Sequence, residues 1–369
     1  MEISPALLEH WLRDRYFIAE IDIGSSGVQD FSLAELRGIL GMTQDELDRV
    51  SFRDSHSAGD PKLRKAIAER WGNGDPERVM ATTGSSEAIF LIMHALLRAD
   101  DEVVILTPCY HSLINIVESI GCRLKRWQLR REQQFIPDIE EARRLIGPRT
   151  RMVIVNIPHN PTGASLTPEQ QVELVEIASH MGAYLVWDAA FAELTYDRPP
   201  LRDVSTLYDR SISIGTLSKG YGLAGLRVGW CLAAPDVVAR CINVRDYVTL
   251  YLSPLIEVIA ERVVTHGDRL LSPRLQQAQA NLNILTDWAL RHHEYIEWFS
   301  PQGGVTIFPR LRFIPDAEAF CRRLINTCGV LLVPGSCFDH PDHIRVGFGG
   351  STEGLTEGLS RLSNFLTTY

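Results

Sequence analysis

A lysine set among hydroxyls just past an apolar strand could act as a nucleophile toward a carbonyl. The run Ser213-Ile214-Gly215-Thr216-Leu217-Ser218-Lys219-Gly220-Tyr221-Gly222-Leu223-Ala224-Gly225-Leu226-Arg227-Val228-Gly229-Trp230 has this form, with a glycine-rich turn and Arg227 after Lys219. A lone lysine in a loop is just as readily a surface residue, so the weight rests on the whole run. Thr82-Thr83-Gly84-Ser85-Ser86-Glu87-Ala88 lies between a strand and a helix. Such a turn aims free backbone N–H groups and a helix N-terminus at an anion, although Ser85 or Ser86 could equally be an ordinary cap. Asp188 ends the strand-like run Tyr184-Leu185-Val186-Trp187-Asp188, and a carboxylate buried there needs a cation. Asn160, in Asn156-Ile157-Pro158-His159-Asn160-Pro161-Thr162-Gly163, sits in a turn by composition alone. Tyr110 reads by itself as a core tyrosine, and Arg345, in Ile344-Arg345-Val346-Gly347-Phe348, as an exposed strand arginine.

The elements that would position these residues alternate. From about Lys62 to Ala234, strands are expected at 79–83, 103–107, 152–157, 184–187, 211–215 and 227–233. Helices are expected at 63–71, 85–97, 112–120 and 168–181. Strands separated by helices imply a mostly parallel sheet with both faces covered. After Pro235 the pattern turns helical to about His293. Residues 304–309 and 344–348 then read as strands, and 317–327 and 355–366 as helices. The expected organisation is an N-terminal segment, 1–46, packing with a smaller α+β domain at 271–369, and a large domain at 47–270.

Bulk properties exclude several classes. The chain has 369 residues, enough for two lobes with cores. Its net charge of −9 argues against a nucleic-acid partner, which would call for a basic stripe. No apolar run reaches the roughly 18 residues of a membrane span. The first residues lack the pattern of a secretory signal. The seven cysteines are scattered and form no CxxC. This suits reduced thiols in a cytoplasmic protein. The histidines form no HExxH, and no metal is expected.

Taken together and in order, these motifs resemble the class I/II, fold-type-I aminotransferases that depend on pyridoxal 5'-phosphate. The resemblance implies the aspartate-aminotransferase-like α/β fold, with Lys219 as the catalytic lysine that carries the cofactor. It implies that Gly84, Ser85, Ser86, Thr216, Ser218 and Arg227 hold the phosphate, where hydroxyls and a guanidinium suit a dianion. It also implies that Tyr110 stacks on the cofactor ring, that Asn160 bonds its phenolic oxygen and that Asp188 faces its pyridinium nitrogen. Arg345 would clamp the substrate α-carboxylate.

Two positions depart from the common pattern. Phe191 stands where the family usually has a tyrosine that bonds the phenolic oxygen. Asp54 stands about where many members place a tyrosine that reaches the partner subunit's phosphate. Stretches such as Trp11-Leu12-Arg13-Asp14-Arg15-Tyr16-Phe17, Ser25-Ser26-Gly27-Val28, Phe52-Arg53-Asp54, Tyr110-His111-Ser112-Leu113 and Arg245-Asp246-Tyr247 are instead similar to the hydroxyarginine cyclases of this fold, which form capreomycidine or enduracididine rings. That narrower resemblance implies a hydroxylated arginine as substrate and net loss of one water. The family resemblance implies a homodimer whose sites are built from both chains, with Asp54 and His56 reaching the partner's site. A cationic guanidinium needs an acceptor, and Glu9, Asp30 and Asp54 are the candidates, with Ser25 and His56 as lesser ones; Glu9 and Asp30 are as readily solvated surface acids or caps. The alternative is a conventional aminotransferase using an amino acid and a 2-oxo acid. A regulatory module of this fold fused to a DNA-binding domain is not expected, since no N-terminal helix-turn-helix is read here and the chain is acidic.

Overall fold

The computed structural model describes residues 2–369. The aliphatic runs form strands. Glu102–Thr107, Tyr184–Asp188, Ser211–Thr216 and Val228–Leu232 are buried at every position, as strands covered on both faces must be. They belong to a seven-stranded sheet ordered Val79–Thr83, Val228–Leu232, Ser211–Thr216, Tyr184–Asp188, Thr150–Asn156, Glu102–Thr107, Arg123–Gln128. All neighbours from Ser211–Thr216 to Arg123–Gln128 pair in parallel. Val228–Leu232 alone runs antiparallel to both its neighbours. The expected mostly parallel sheet is therefore present. Arg123–Gln128 was not expected: as an edge strand it exposes much of its polar sequence and lacks an apolar run.

The helices between strands are set by their caps. Asp60 accepts the N–H groups of Lys62 and Leu63, and Pro61 opens the helix Pro61–Trp71. Thr167 and Gln170 form a capping box before Pro168–His180. The long helical stretch expected after Pro235 is broken into Pro235–Arg245, Pro254–Thr265 and Asp268–Arg291. Ser253 is extended before Pro254, which opens its helix as the first residue, where the missing N–H is not needed.

The first forty residues do not stand apart. Ile21–Asp22 pairs in parallel with Val330–Leu331, and the Trp11 indole donates to the Leu332 carbonyl at 2.8 Å. Thr306–Ile307, Ile344–Gly347 and Val333–Pro334 form a three-stranded antiparallel sheet beside them. The expected strand at 304–309 shortens to Thr306–Ile307.

A buried ion pair ties the segment before Gly59 to this frame. Arg245 is fully buried and donates to the carbonyls of Ser57 and Ala81 at 2.7 and 2.8 Å, beside the buried carboxylate of Glu87 at 3.2 Å. Removing the guanidinium leaves Glu87 without its cation. Arg245→Met should therefore lower the unfolding free energy by about 3–5 kcal/mol in urea titrations, and Arg245→Met with Glu87→Met should recover part of that loss.

Candidate active site

The strand ends gather the motifs. Asp188 closes its strand, and Gly84, Tyr110, Asn160 and Lys219 follow the strands ending at Thr83, Thr107, Asn156 and Thr216. Parallel strands put all these ends on one edge, where open α/β sheets bind ligands. The antiparallel strand begins at that same edge, with Thr83 opposite Val228, so Arg227 just before it joins the group. A cavity of about 520 Å³ lies there, lined by Ser86, Tyr110, Asn160, Asp188, Lys219 and Arg345 among others. A second cavity, of about 350 Å³ beside Trp187 and Arg198, shares no lining residue with it and contains no lysine.

One corner is an anion cradle. The helix Gly84–Leu96 starts at Gly84, whose φ of +70° is the left-handed conformation that favours glycine. A Cβ there would lie 2.5 Å from Arg227 Nη2, so the guanidinium rests against the first helical turn. Ser85, Ser86 and Ser218 complete the wall. Helix N–H groups, hydroxyls and a guanidinium converge as a phosphate requires. Thr216 stands one layer behind: its hydroxyl donates to the Val228 carbonyl and pairs with Ser218 Oγ, both at 3.0 Å, while also accepting the Ser218 N–H.

Asp188 is buried, and its carboxylate takes only the Ala190 N–H, at 3.1 Å, among the described residues. Burial raises it to about 6, although that N–H and the Lys219 charge pull the other way. Lys219 is lowered to about 8 by burial first and by Arg345 next, with Glu9 and Asp188 opposing. Its amine donates to Ser26 Oγ at 2.9 Å and lies 5.8 Å from the centre of the Phe191 ring. Arg345 is buried, not exposed. Its three hydrogen bonds go to neutral oxygens, two to the Gly24 carbonyl at 3.0 and 2.9 Å and one to Asn160 Oδ1 at 3.1 Å. A guanidinium has five N–H groups, so two remain for a carboxylate. The Asn160 amide nitrogen makes no hydrogen bond among the described residues and is available to an acceptor in the cavity.

Tyr110 donates its hydroxyl to Glu9 Oε1 at 2.8 Å. Burial and then the Glu9 charge push the phenol up to about 12. Of the candidate guanidinium acceptors, the structure brings Glu9 to this cavity and leaves the others outside it in the single chain. Ser25 does not line it: its hydroxyl donates to Asp22 and lies 3.4 Å from the hydroxyl of Tyr16, which does. The residue that faces Lys219 is its neighbour Ser26. Asp30 is exposed, and its backbone carbonyl accepts from Arg274 at 3.1 Å. Asp54 is exposed and accepts the Tyr251 hydroxyl, and His56 is exposed two residues on. Tyr16 and Asn156 also line the cavity without having been singled out. Leu8, Leu12 and Tyr16 recur every fourth residue on the helix Leu7–Ile18, a spacing that could have revealed that face.

The family model for aminotransferase class I and II matches residues 43–362. The chain belongs to that family. It is 45% identical to capreomycidine synthase of Streptomyces vinaceus, over 100% of this chain and 95% of that protein. The crystal structure of the PLP-dependent cyclase OrfR superposes with a TM-score of 0.95 at 41% identity, covering 100% of this chain and 98% of that one. The aspartate aminotransferase of Thermotoga maritima superposes with a TM-score of 0.87 at 25% identity, covering 99% and 97%. The chain is thus an enzyme of the aspartate-aminotransferase-like fold whose cofactor is pyridoxal phosphate. The cavity fits that cofactor chemically. The cradle suits its phosphate, the unpaired Asp188 suits a ring cation, and the Lys219 amine suits its aldehyde. Among the described residues no group of three His, Cys, Asp or Glu side chains is placed to hold a metal ion, and no helix is long and apolar enough to cross a membrane.

The unpaired carboxylate has a measurable signature. An Asp raised from 3.8 to about 6 binds its proton more tightly folded than unfolded. Folding is therefore penalised progressively as pH rises through that window, by about 3 kcal/mol in full. Asp188→Asn should raise the melting temperature of the cofactor-free protein at pH ~8, with the gap closing near pH ~4, while cutting cofactor-dependent turnover at least ~100-fold. Paired thermal melts at the two pH values check the first part.

Proposed function

We propose that the chain is a cyclodehydratase that converts a hydroxylated L-arginine into a cyclic guanidine amino acid. The observation that carries the reading is the pairing of two complementary charges in one cavity, Arg345 for an α-carboxylate and Glu9 for a cationic side chain. Its similarity to capreomycidine synthase over the full length supports the same class of substrate.

In this reading Lys219 carries the cofactor and is the catalytic base. Gly84, Ser85, Ser86, Ser218 and Arg227 would hold the phosphate, with Thr216 orienting Ser218. Tyr110 would stack on the ring, Asn160 would donate to its phenolic oxygen and Asp188 would face its nitrogen. When bound, pyridoxal phosphate supplies an electron-withdrawing ring that stores the pair left by a proton leaving the α-carbon. The Lys219 amine, with its proton affinity brought near neutrality, takes that proton and later returns it. Arg345 fixes the carboxylate end and Glu9 the guanidinium end, so the chain of the substrate is held folded between them. Overall, the C–O bond to the side-chain hydroxyl breaks, a C–N bond to a terminal guanidine nitrogen forms, and one water leaves. Closure at Cβ takes in Cβ, Cγ, Cδ, Nε, Cζ and Nη, giving the larger capreomycidine-type ring. Closure at Cγ omits Cβ and gives the smaller enduracididine-type ring. Phe191 contributes no hydroxyl beside Lys219, where plain transamination enzymes of the family usually carry one.

Incubation with 3-hydroxy- and 4-hydroxyarginine should give a product one water lighter, with ring size read by NMR and no 2-oxo acid consumed. Amino transfer to a 2-oxo acid without cyclised product would favour the conventional aminotransferase. Glu9→Gln removes the charge facing the guanidinium and should raise KM ~10–100-fold, the worth of one charge-assisted hydrogen bond.

The same reading includes a homodimer. Phe52, Tyr247, Val248 and Leu250 expose 50–93% of their surface on two segments that meet where Tyr251 bonds Asp54. An exposed apolar cluster of this kind marks an interaction surface, and a second copy seated there would bring Asp54 and His56 toward the other subunit's cavity. Sedimentation should give a dimer, and Phe52→Asp with Tyr247→Asp should give a monomer of low activity. A fully active wild-type monomer would overturn this part.

A further inference from the structure

The segment 22–29 crosses over Lys219, and it is held along its length. Asp22 Oδ1 accepts the N–H groups of Gly24 and Ser25 at 2.8 and 3.0 Å. Arg345 grips the Gly24 carbonyl from two nitrogens. The Val28 N–H donates to the Lys219 carbonyl at 3.1 Å and the Gln29 N–H to the Gly349 carbonyl at 2.9 Å. Any Cβ on Gly347 would collide with the Ser25 carbonyl, at 1.8 Å, so strand and segment lie in backbone contact. Ser26, buried within this clamp, presents its hydroxyl to the Lys219 amine at 2.9 Å. Among the described residues that hydroxyl is the amine's sole hydrogen-bond partner. On another side lies the Phe191 ring, which offers no hydroxyl.

We propose that Ser26 is a positioning residue that holds the Lys219 amine, whenever that amine is free, where it can exchange a proton with the substrate. The proposal rests on the cyclase reading only for its kinetic part. A lysine amine on a four-carbon stem has many rotamers, and tying it to a fixed oxygen removes that search from each proton transfer. The contact also bears on proton affinity, because an acceptor favours the ammonium form. The charged groups around the amine are Glu9, Asp188, Arg227 and Arg345, and Ser26 changes none of them.

Two measurements on Ser26→Ala test this. In cofactor-free protein, the pH midpoint for acylation of Lys219 by a small amine-reactive ester, read by peptide mass, should fall by about half a unit, or about threefold in proton affinity. In the loaded enzyme, kcat should fall ~10-fold with KM changed less than ~2-fold, the pattern of an interaction that matters to the step and not to binding. Ser26→Thr, which keeps the hydroxyl, should restore both. If the alanine variant does not fold, Ser26→Cys keeps the size of the side chain with a weaker acceptor and should shift both readings in the same direction. An unmoved midpoint would overturn the proposal, and so would a loss carried by KM. The acylation measurement uses neither cofactor nor substrate, so failure of the cyclase reading leaves it intact.

Discussion

Burying a lysine amine among arginines weakens its hold on a proton, and the rest of the site can be derived from that requirement. Lys219 lies inside the cavity with Arg345 and Arg227 near enough to oppose its charge. Such an environment would expel an uncompensated cation. Asp188 and Glu9 supply the opposing field without pairing the amine directly, and Ser26 supplies the hydrogen bond. The result is an amine near the middle of the pH range where a base and an acid are both useful.

The sheet explains how so many charged groups share one edge. Parallel strands bring their carboxyl ends together, but a phosphate cradle also needs a cation pointing back at the first helix. The single reversed strand provides it. Because Val228–Leu232 starts where Thr83 ends, Arg227 enters the cradle from the opposite chain direction and meets Gly84 at a distance that only glycine permits.

Lys219, Asp188, Asn160 and the Gly84 turn were legible in sequence because each lies within a few residues of a strand end, and strand ends are marked by apolar runs followed by turn residues. What was not legible depends on parts of the chain that return from far away. Nothing local says that Glu9 would meet Tyr110, since that contact exists only once Ile21–Asp22 has paired beside Val330–Leu331. Ser25 and Ser26 are alike as neighbours in sequence, and the bends at Gly24, Ser26 and Gly27 decide which faces inward. Arg123–Gln128 escaped notice because, at the edge of the sheet, it leaves much of a polar sequence exposed and carries no apolar run. The break near Pro254 was signalled by the proline itself but was masked by the helical pattern on both sides.

The unpaired carboxylate of Asp188 has a consequence for the protein's life in the cell. In the proposed reading, a ring cation set against that carboxylate would stabilise the folded state by mass action, growing with the logarithm of the cofactor's excess over its dissociation constant. Chains made while the cofactor is scarce would then open more often and meet proteases in that state. Vitamin supply would thus set not only how much of the enzyme is active but how long each copy persists.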